Sequence, residues 1–315
     1  MNSPIQPGDE VRRFIVENRP VRGHWVRLEG AWRELRAHRE YPEPVRELLG
    51  QAVAASVLLA ATLKFNGTLT LQLQGNGAVR LLVAQCTHDF RLRAVANFDD
   101  GAVEAAVAES SDGVEAFRRL VGTEGRVVVT IESEEKNSRY QGIVPLSGDS
   151  LAGSLESYFA TSEQLPTRVL LAADSERGVG VLVQKLPDPA NADESDMKEV
   201  WEEAQRGIER LSTTDLLLRP VEELLERGFA AHDMRLFKGS PVQFECRCSQ
   251  GRVSRLLRAL GAEEVRDVLK EQGAVTVTCE FCHRPYRFDA VDVEALFADA
   301  DAPGASDGDR PPSVH

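Results

Sequence analysis

Four of the five cysteines lie near the end of the chain in two close pairs, Cys246-x-Cys248 and Cys279-x-x-Cys282. No other feature restricts the local fold as much. Each pair can span one edge of a tetrahedron, and the segment between the pairs must then fold so that the two edges meet. The second pair sits in TCEFCHRPYRF, Thr278 to Phe288. It lies between Ala274–Thr278 and Tyr286–Phe288, which alternate like the strands of a hairpin. The first pair follows a short extended run, Val242 to Glu245. Between them, Val253, Leu256, Leu257 and Leu260 recur at helical spacing, and Val265, Val268 and Leu269 mark a second short helix closed near Gly273. Val291 to Leu296 reads as a last helix. Four thiolates around one zinc ion is the arrangement this spacing favours.

Two other chemistries use such strings. His283 completes C-x-x-C-H, the covalent haem signature, but that reading leaves the upstream pair without a role. A thioredoxin-like couple wants its pair at a helix N-terminus within a βαβ unit, whereas this pair lies between two strands. His283 reads as a turn residue, not needed as a ligand beside four thiolates. Cys86 stands alone after a strand and reads as a small buried hydrophobe. Arg247, Arg252, Arg284 and Arg287 flank the pairs. They could offset the negative charge of four thiolates on a divalent ion, or simply form a solvated basic surface.

The rest of the chain reads as α+β with a largely antiparallel sheet. Strands are expected at 13–17, 23–28, 67–74, 78–86, 126–131, 168–173 and 178–184, with a hairpin-type turn at Gly75-Asn76-Gly77. Helices are expected over Pro44–Lys64, with the proline in the first turn, and over Ser154–Ser162. From about Pro187 the texture changes. Met197, Val200, Trp201, Ala204, Ile208 and Leu211 share one helical face opposite a highly charged one, with Gly207, Pro220 and Gly228 read as interruptions. Such helices have no core of their own and must dock elsewhere. The expected organisation is an α+β N-terminal mixed-sheet domain with packed helices (11–186), a helical linker (187–238), a small C-terminal four-cysteine zinc-binding domain (239–298) and a disordered polar tail (299–315).

Composition narrows the function classes. The chain has 315 residues and a net charge of -13. No basic stripe of the kind that binds nucleic acid stands out. The most apolar run, Ala52 to Leu63, falls short of the ~20 residues of a membrane helix and reads as a core helix. The first residues lack an apolar signal region, so a cytoplasmic protein with reduced cysteines is expected. His24, His38 and His88 are scattered with no nucleophile motif nearby, and glycine-rich phosphate loops are absent, so neither a catalytic constellation nor an ATP site is expected. Glu163 reads as a structural residue bonding a helix end or turn.

Four-cysteine zinc sites are most often purely structural, yet this spacing also permits a switch, because an oxidant could close each pair on itself. Structural zinc contributes roughly 10–16 kcal/mol to folding in small peptides. Loop-closure entropy gives under about 2 kcal/mol for each ring of three or four residues. Two local disulfides would thus replace only about a quarter of what the metal supplied. A unit of this size has little reserve to cover the difference, so oxidation would release zinc and unfold it.

Several stretches resemble a known family, the bacterial redox-regulated heat-shock holdases of the 33-kDa class. They are VRG at Val21–Gly23, YPEPV at Tyr41–Val45, ATLKFNGTLTLQLQG at Ala61–Gly75, YQGIVPL at Tyr140–Leu146 and ESYFATSEQLPT at Glu156–Thr167. FECRCS at Phe244–Ser249 and CEFC at Cys279–Cys282 complete the set. The resemblance spans about Val11 to Phe297 and implies a cytosolic, non-enzymatic, ATP-independent chaperone. It implies one zinc on Cys246, Cys248, Cys279 and Cys282 when reduced. It also implies Cys246–Cys248 and Cys279–Cys282 disulfides formed by peroxide or hypochlorous acid, zinc release, linker unfolding, and an active form, often a homodimer, that holds unfolding client proteins under oxidative stress. No nucleic acid, membrane or ATP is expected as a partner. Two stretches depart from the family pattern: LERGFAAH at Leu225–His232 replaces a more apolar linker end, and the acidic tail after Ala298 is additional. The runner-up function is a thiol-disulfide oxidoreductase using Cys279 and Cys282, and a third is a constitutive zinc-ribbon interaction module.

Overall fold

The computed structural model describes residues 8–37, 39–134, 138–146, 149–187 and 194–298. His38, the Met197 side chain and the tail 299–315 lie outside the described residues. The chain divides into two compact units, the first ending at Cys246 and the second beginning at Arg247.

Two sheets of six strands frame the first unit. One contains β1 (Glu10–Val16), β2 (Val21–Leu28), β8 (Thr167–Ala173), β9 (Gly178–Lys185), β10 (Met234–Leu236) and β11 (Ser240–Pro241), in the order β10-β1-β2-β9-β8 with β11 also on β1. The other contains β3 (Gly67–Gln74), β4 (Val79–Thr87), β5 (Arg91–Phe98), β6 (Arg126–Ser133), β7 (Ser138–Pro145) and β12 (Gln243–Phe244), in the order β12-β5-β4-β3-β6-β7. Pairing is antiparallel throughout except for β12 on β5. The expected largely antiparallel sheet is therefore present twice. The Gly67–Gln74 alternation places Leu69, Leu71 and Leu73 on the buried face.

Between the sheets runs α2 (Glu43–Thr62), touching β2, β8 and β9 on one side and β3, β4 and β5 on the other. A helix covered on both sides must be apolar all round, and 13 of its residues are buried. By length and composition alone it could cross a membrane, yet it is the core helix of this unit. Its small residues let both sheets approach. A Cβ on Gly50 would lie 2.5 Å from the Cβ of Ala173. Around this core sit α1 (Gly30–Arg36), α3 (Asp100–Ala108), α4 (Gly113–Val121) and α5 (Leu151–Tyr158), which continues into a π-helical turn at Phe159–Glu163.

The outer face of the β1–β2–β9–β8 sheet is covered by α6 (Glu194–Glu209), α7 (Thr213–Leu218) and α8 (Val221–Phe229). Phe14, Val16, Val21, Trp25, Val181 and Val183 on the strands meet Val200, Ala204, Ile208, Leu216, Leu224 and Phe229 on the helices. The amphipathic face expected from spacing is thus the docking face. Gly207 and Gly228 were expected as interruptions, and this is corrected: both lie inside helices. They mark where α6 and α8 cross, since a Cβ on Gly207 would sit 2.5 Å from the carbonyl oxygen of Gly228. Pro220 is the residue capping α8.

The second unit holds α9 (Gln250–Leu260), α10 (Ala262–Gln272), the β13 (Val275–Thr278) and β14 (Pro285–Phe288) hairpin, and α11 (Ala290–Ala298). Its core is small: Val253, Leu257, Val265, Val275, Tyr286, Phe288, Val293, Leu296 and Phe297. A core of nine buried residues is thin for independent stability.

Candidate metal centre and family

Local chain geometry explains how the four cysteines are presented. Cys279 follows β13 directly, and β14 begins at Pro285, so Cys279 and Cys282 sit on the hairpin turn. The turn is closed by the Cys279 N–H donating to the Arg284 carbonyl at 3.0 Å and the His283 N–H donating to the Cys279 carbonyl at 2.7 Å. His283 takes a left-handed φ of 50°, which lets the chain double back after Cys282. His283 is the expected turn residue. The other pair ends the β12 stretch and leads into α9. There the Ser249 side chain caps the helix by accepting from the Arg252 N–H. On the near side of Cys246, the Glu245 N–H donates to the Leu92 carbonyl at 2.9 Å, and its carboxylate pairs with the Arg91 guanidinium.

The Sγ atoms of Cys246, Cys248, Cys279 and Cys282 all lie within 4.8 Å of one another. In a tetrahedron with Zn–S bonds near 2.3 Å the sulfurs stand ~3.8 Å apart, so this spacing suits one ion. Cys248 and Cys282 approach to 3.4 Å, slightly inside that edge. Cys282 is buried and the other three are half-buried, which gives a soft, largely sheltered donor set of thiolate chemistry. These four cysteines are positioned to hold a metal ion.

Neighbouring groups complete the centre. Tyr286 donates its hydroxyl to Cys248 Sγ at 3.0 Å. Burial, and then the sulfur beside it, pushes the phenol up to about 12, so it keeps the proton it donates. The Arg284 guanidinium lies over the Tyr286 ring, 5.5 Å from its centre. Arg252 donates to the Arg247 carbonyl at 2.8 Å, bracing the residue between the first two cysteines. Arg252, Arg284 and Arg287 are exposed, as a solvated surface requires, but Arg247 and Arg284 also serve the local backbone. Tyr286 was not expected from sequence as anything but a strand residue; its place four residues after Cys282 on an inward-facing strand position is the signal that could have found it.

Other residues singled out from sequence lie elsewhere. Cys86 is fully buried in β4, where burial raises its thiol far above the ordinary range. His24 is buried in β2, and burial, then Arg22 and Arg13, lower its imidazole to about 4. His88 accepts from the Gly67 N–H at 3.2 Å. Glu163 closes the π-helical turn, accepting from the Tyr158 hydroxyl at 2.8 Å and the Tyr140 hydroxyl at 3.1 Å, the structural role expected of it. None of these converges on the cysteines. The C-x-x-C pair sits on a hairpin turn and not at a helix N-terminus, so the oxidoreductase reading is not favoured.

Comparison with known proteins agrees with this architecture. The family model described as "Hsp33 protein" matches residues 9–289. The chain belongs to the Hsp33 family. Among Hsp33 relatives, the 33 kDa chaperonin of Nitrosococcus oceani is 42% identical over 291 residues, covering 92% of this chain and 95% of the relative. That of Chromobacterium violaceum is 41% identical, covering 92% and 94%. The crystal structure of the Thermotoga maritima Hsp33 homologue superposes with a TM-score of 0.76 at 23% identity, covering 93% of this chain and 99% of that one. The α+β fold read from the sequence is the Hsp33 fold, and the chain is a member of a chaperone family.

Proposed function

We propose that this protein is an ATP-independent holdase of the bacterial cytoplasm, inactive while reduced and zinc-loaded, and activated by oxidation. The observation that carries the reading is the gathering of four sulfurs from two pairs, each pair close enough in sequence to bond to itself. Zinc would be held by Cys246, Cys248, Cys279 and Cys282. Bound there it supplies a divalent charge that keeps four thiolates together. Peroxide or hypochlorous acid would convert them to Cys246–Cys248 and Cys279–Cys282 disulfides, and the tetrahedral clamp would be lost.

The chain's own residues then suggest how loss of the clamp spreads. Cys246 ends a segment of three very short edge strands, β10, β11 and β12, of three, two and two residues. Strands this short hold little by themselves, so they depend on their ends being tied. Once Cys246 is released, β12, β11 and β10 would peel in turn, and α8, α7 and α6 would lose their anchor. Their departure uncovers Phe14, Val16, Val21, Trp25, Val181 and Val183 on the sheet, an apolar face suited to unfolding client chains and to a second activated copy. No ATP, nucleic acid or membrane enters the scheme, and no chemical step is catalysed.

The test is aggregation of a heat-unfolded client protein measured by light scattering. Reduced, zinc-loaded protein is expected to leave aggregation unchanged. Protein treated with peroxide at mildly elevated temperature is expected to suppress it at near-stoichiometric ratio and to sediment as a dimer. Equal suppression in both states would contradict the switch, and turnover in an insulin-reduction assay would restore the oxidoreductase reading.

A further inference from the structure

A cavity of about 60 Å³ lies in the first unit where the two sheets part at the C-terminal end of α2. Three stretches singled out in the sequence meet there, at Val21–Gly23, Ala61–Gly75 and Glu156–Thr167, and the zinc switch uses none of them. Its apolar wall includes Leu59, Leu69, Ile131, Phe159 and Leu165. Two opposite charges, Arg22 and Glu163, line the same space, yet no ion pair joins them. Among the described residues Arg22 is held by neutral groups alone. Its Nε and Nη2 donate to Gln184 Oε1 at 3.1 and 2.7 Å, and Nη2 reaches the Thr62 carbonyl at 3.5 Å. Gln184 is fully buried and is pinned in turn by donating to Thr167 Oγ1 at 3.1 Å. The guanidinium is therefore fixed and half-buried, and burial, then Arg13, lowers its pKa from the ordinary range. Glu163 ends the π-helical turn, just before Gln164 at a left-handed φ of 54°. Such turns are rare and often accompany functional sites. Glu163 Oε1 accepts both tyrosine hydroxyls, Tyr158 at 2.8 Å and Tyr140 at 3.1 Å. Burial raises the Tyr158 phenol far above its ordinary range, so it stays the donor. Oε2 bonds to no described residue.

We propose that this cavity binds a free α-amino acid with a short branched apolar side chain, its carboxylate on Arg22, its ammonium on Glu163 and its side chain among Leu69, Ile131 and Phe159. A cation and a carboxylate that line one cavity without pairing each want an opposite charge, and a zwitterion brings both. A plain carboxylate would be repelled by Glu163, and a plain amine by Arg22. At ~15 Å³ for each water-sized group, the cavity holds about four heavy atoms, the size of an isobutyl group. Binding is non-covalent and changes no bond. It would tie the end of α2 to both sheets, and so stabilise the first unit in proportion to occupancy. The inference does not depend on the zinc-switch reading.

The experiment titrates full-length, reduced, zinc-loaded protein with L-leucine, isovalerate and glycine by ligand-observed NMR, which reads dissociation constants up to about 10 mM. Wild type is compared with Arg22→Gln and Glu163→Gln, and thermal melts followed by circular dichroism establish that each variant is folded. L-Leucine is expected to bind wild type. Glycine lacks the side chain and is expected to bind at least about tenfold more weakly. Isovalerate lacks the ammonium and is expected to bind about ten- to hundredfold more weakly. Arg22→Gln is expected to weaken leucine about ten- to hundredfold. Glu163→Gln keeps an acceptor for both tyrosine hydroxyls and removes only the charge. It is expected to bring leucine and isovalerate to within about threefold of each other, a change of preference that a purely structural role for Glu163 would not produce. Should Arg22→Gln fail to fold, Glu163→Gln decides alone. The inference is overturned if wild type does not bind leucine, if it binds leucine and isovalerate alike, or if Glu163→Gln keeps the wild-type preference. Zinc release under peroxide bears on the switch reading and not on this one, so the two fail separately.

Discussion

Substitution of Gly207 by alanine tests the proposal that the helical layer over the first sheet holds the reduced protein inactive. A Cβ on Gly207 would stand 2.5 Å from the Gly228 carbonyl oxygen and 3.2 Å from Cε1 of Phe229. The first of these atoms is backbone and cannot rotate away, so α6 and α8 must separate. Overpacking of this kind costs about 1–3 kcal/mol. Alanine returns up to ~1 kcal/mol through its better helix propensity. Taking off ~1 kcal/mol leaves a net loss of about 0–2 kcal/mol, which raises the open population of the helical layer by up to roughly thirtyfold. Gly228→Ala is the internal control. Its Cβ would stand 3.1 Å from the Gly207 oxygen and beyond 3.5 Å from everything else, so propensity gain and crowding nearly cancel. Hydrogen exchange over residues 198–229 in reduced, zinc-loaded protein is the assay, with client aggregation measured on the same samples. Gly207→Ala is expected to exchange faster and to suppress aggregation partly without any oxidant. If Gly207→Ala is as protected and as inactive as wild type, or if the two glycine variants behave alike, the reasoning about the crossing fails.

Three further outcomes are expected. Cys282→Ser removes the buried ligand of the four, so zinc binding falls to below stoichiometric and the 247–298 unit loses its circular-dichroism signal; a folded, zinc-replete variant would contradict the assigned ligand set. His24 has an imidazole lowered to about 4 against an ordinary 6.5, so the unfolded chain binds its proton first; stability of the first unit is full above pH 6.5 and falls by roughly 3 kcal/mol as pH drops toward 4, and urea midpoints of His24→Leu between pH 4.5 and 7.5 should lack that share of the slope. Ser212 accepts from the Asp215 N–H in a reciprocal capping box at the start of α7, so Ser212→Ala should cost about 1 kcal/mol and lower the melting temperature of the first unit, while a variant as stable as wild type would assign the helix start to packing alone.

How much of this was legible in sequence depends on the signal each element carries. The β3–β4 hairpin and α2 follow from strict alternation and from a long apolar stretch with proline near its start. Their bounds differ from expectation by only a residue or two. β5, α3 and α4 were not expected. α3 and α4 are nine residues each and owe their starts to the Asp99 and Asp112 caps, a signal easily lost among surface polar residues. β7 is an edge strand with most of its residues exposed, so no clear alternation marks it. The presence of two sheets could not be read, because pairing partners such as β1 with β10 are separated by more than 200 residues. The four cysteines were legible as one candidate centre because two close pairs on either side of a short folding segment can meet, as their sulfurs do here. Tyr286 went unread: its inward strand position four residues after Cys282 is a signal, but which sulfur its hydroxyl meets depends on the folded partner segment. The glycines of α6 and α8 were misread for the same reason: a close helix crossing and a helix break look alike until the partner helix is known.

On the proposed switch, one bound ion holds the second unit together and, through it, keeps the helical layer closed. The most direct measurement is time-resolved hydrogen exchange of residues 198–298 on protein whose zinc release under peroxide is followed in parallel. The account expects protection over 247–298 to vanish in step with the metal, and protection over 198–229 to follow. Protection that survives over 247–298 after all zinc has left would contradict it.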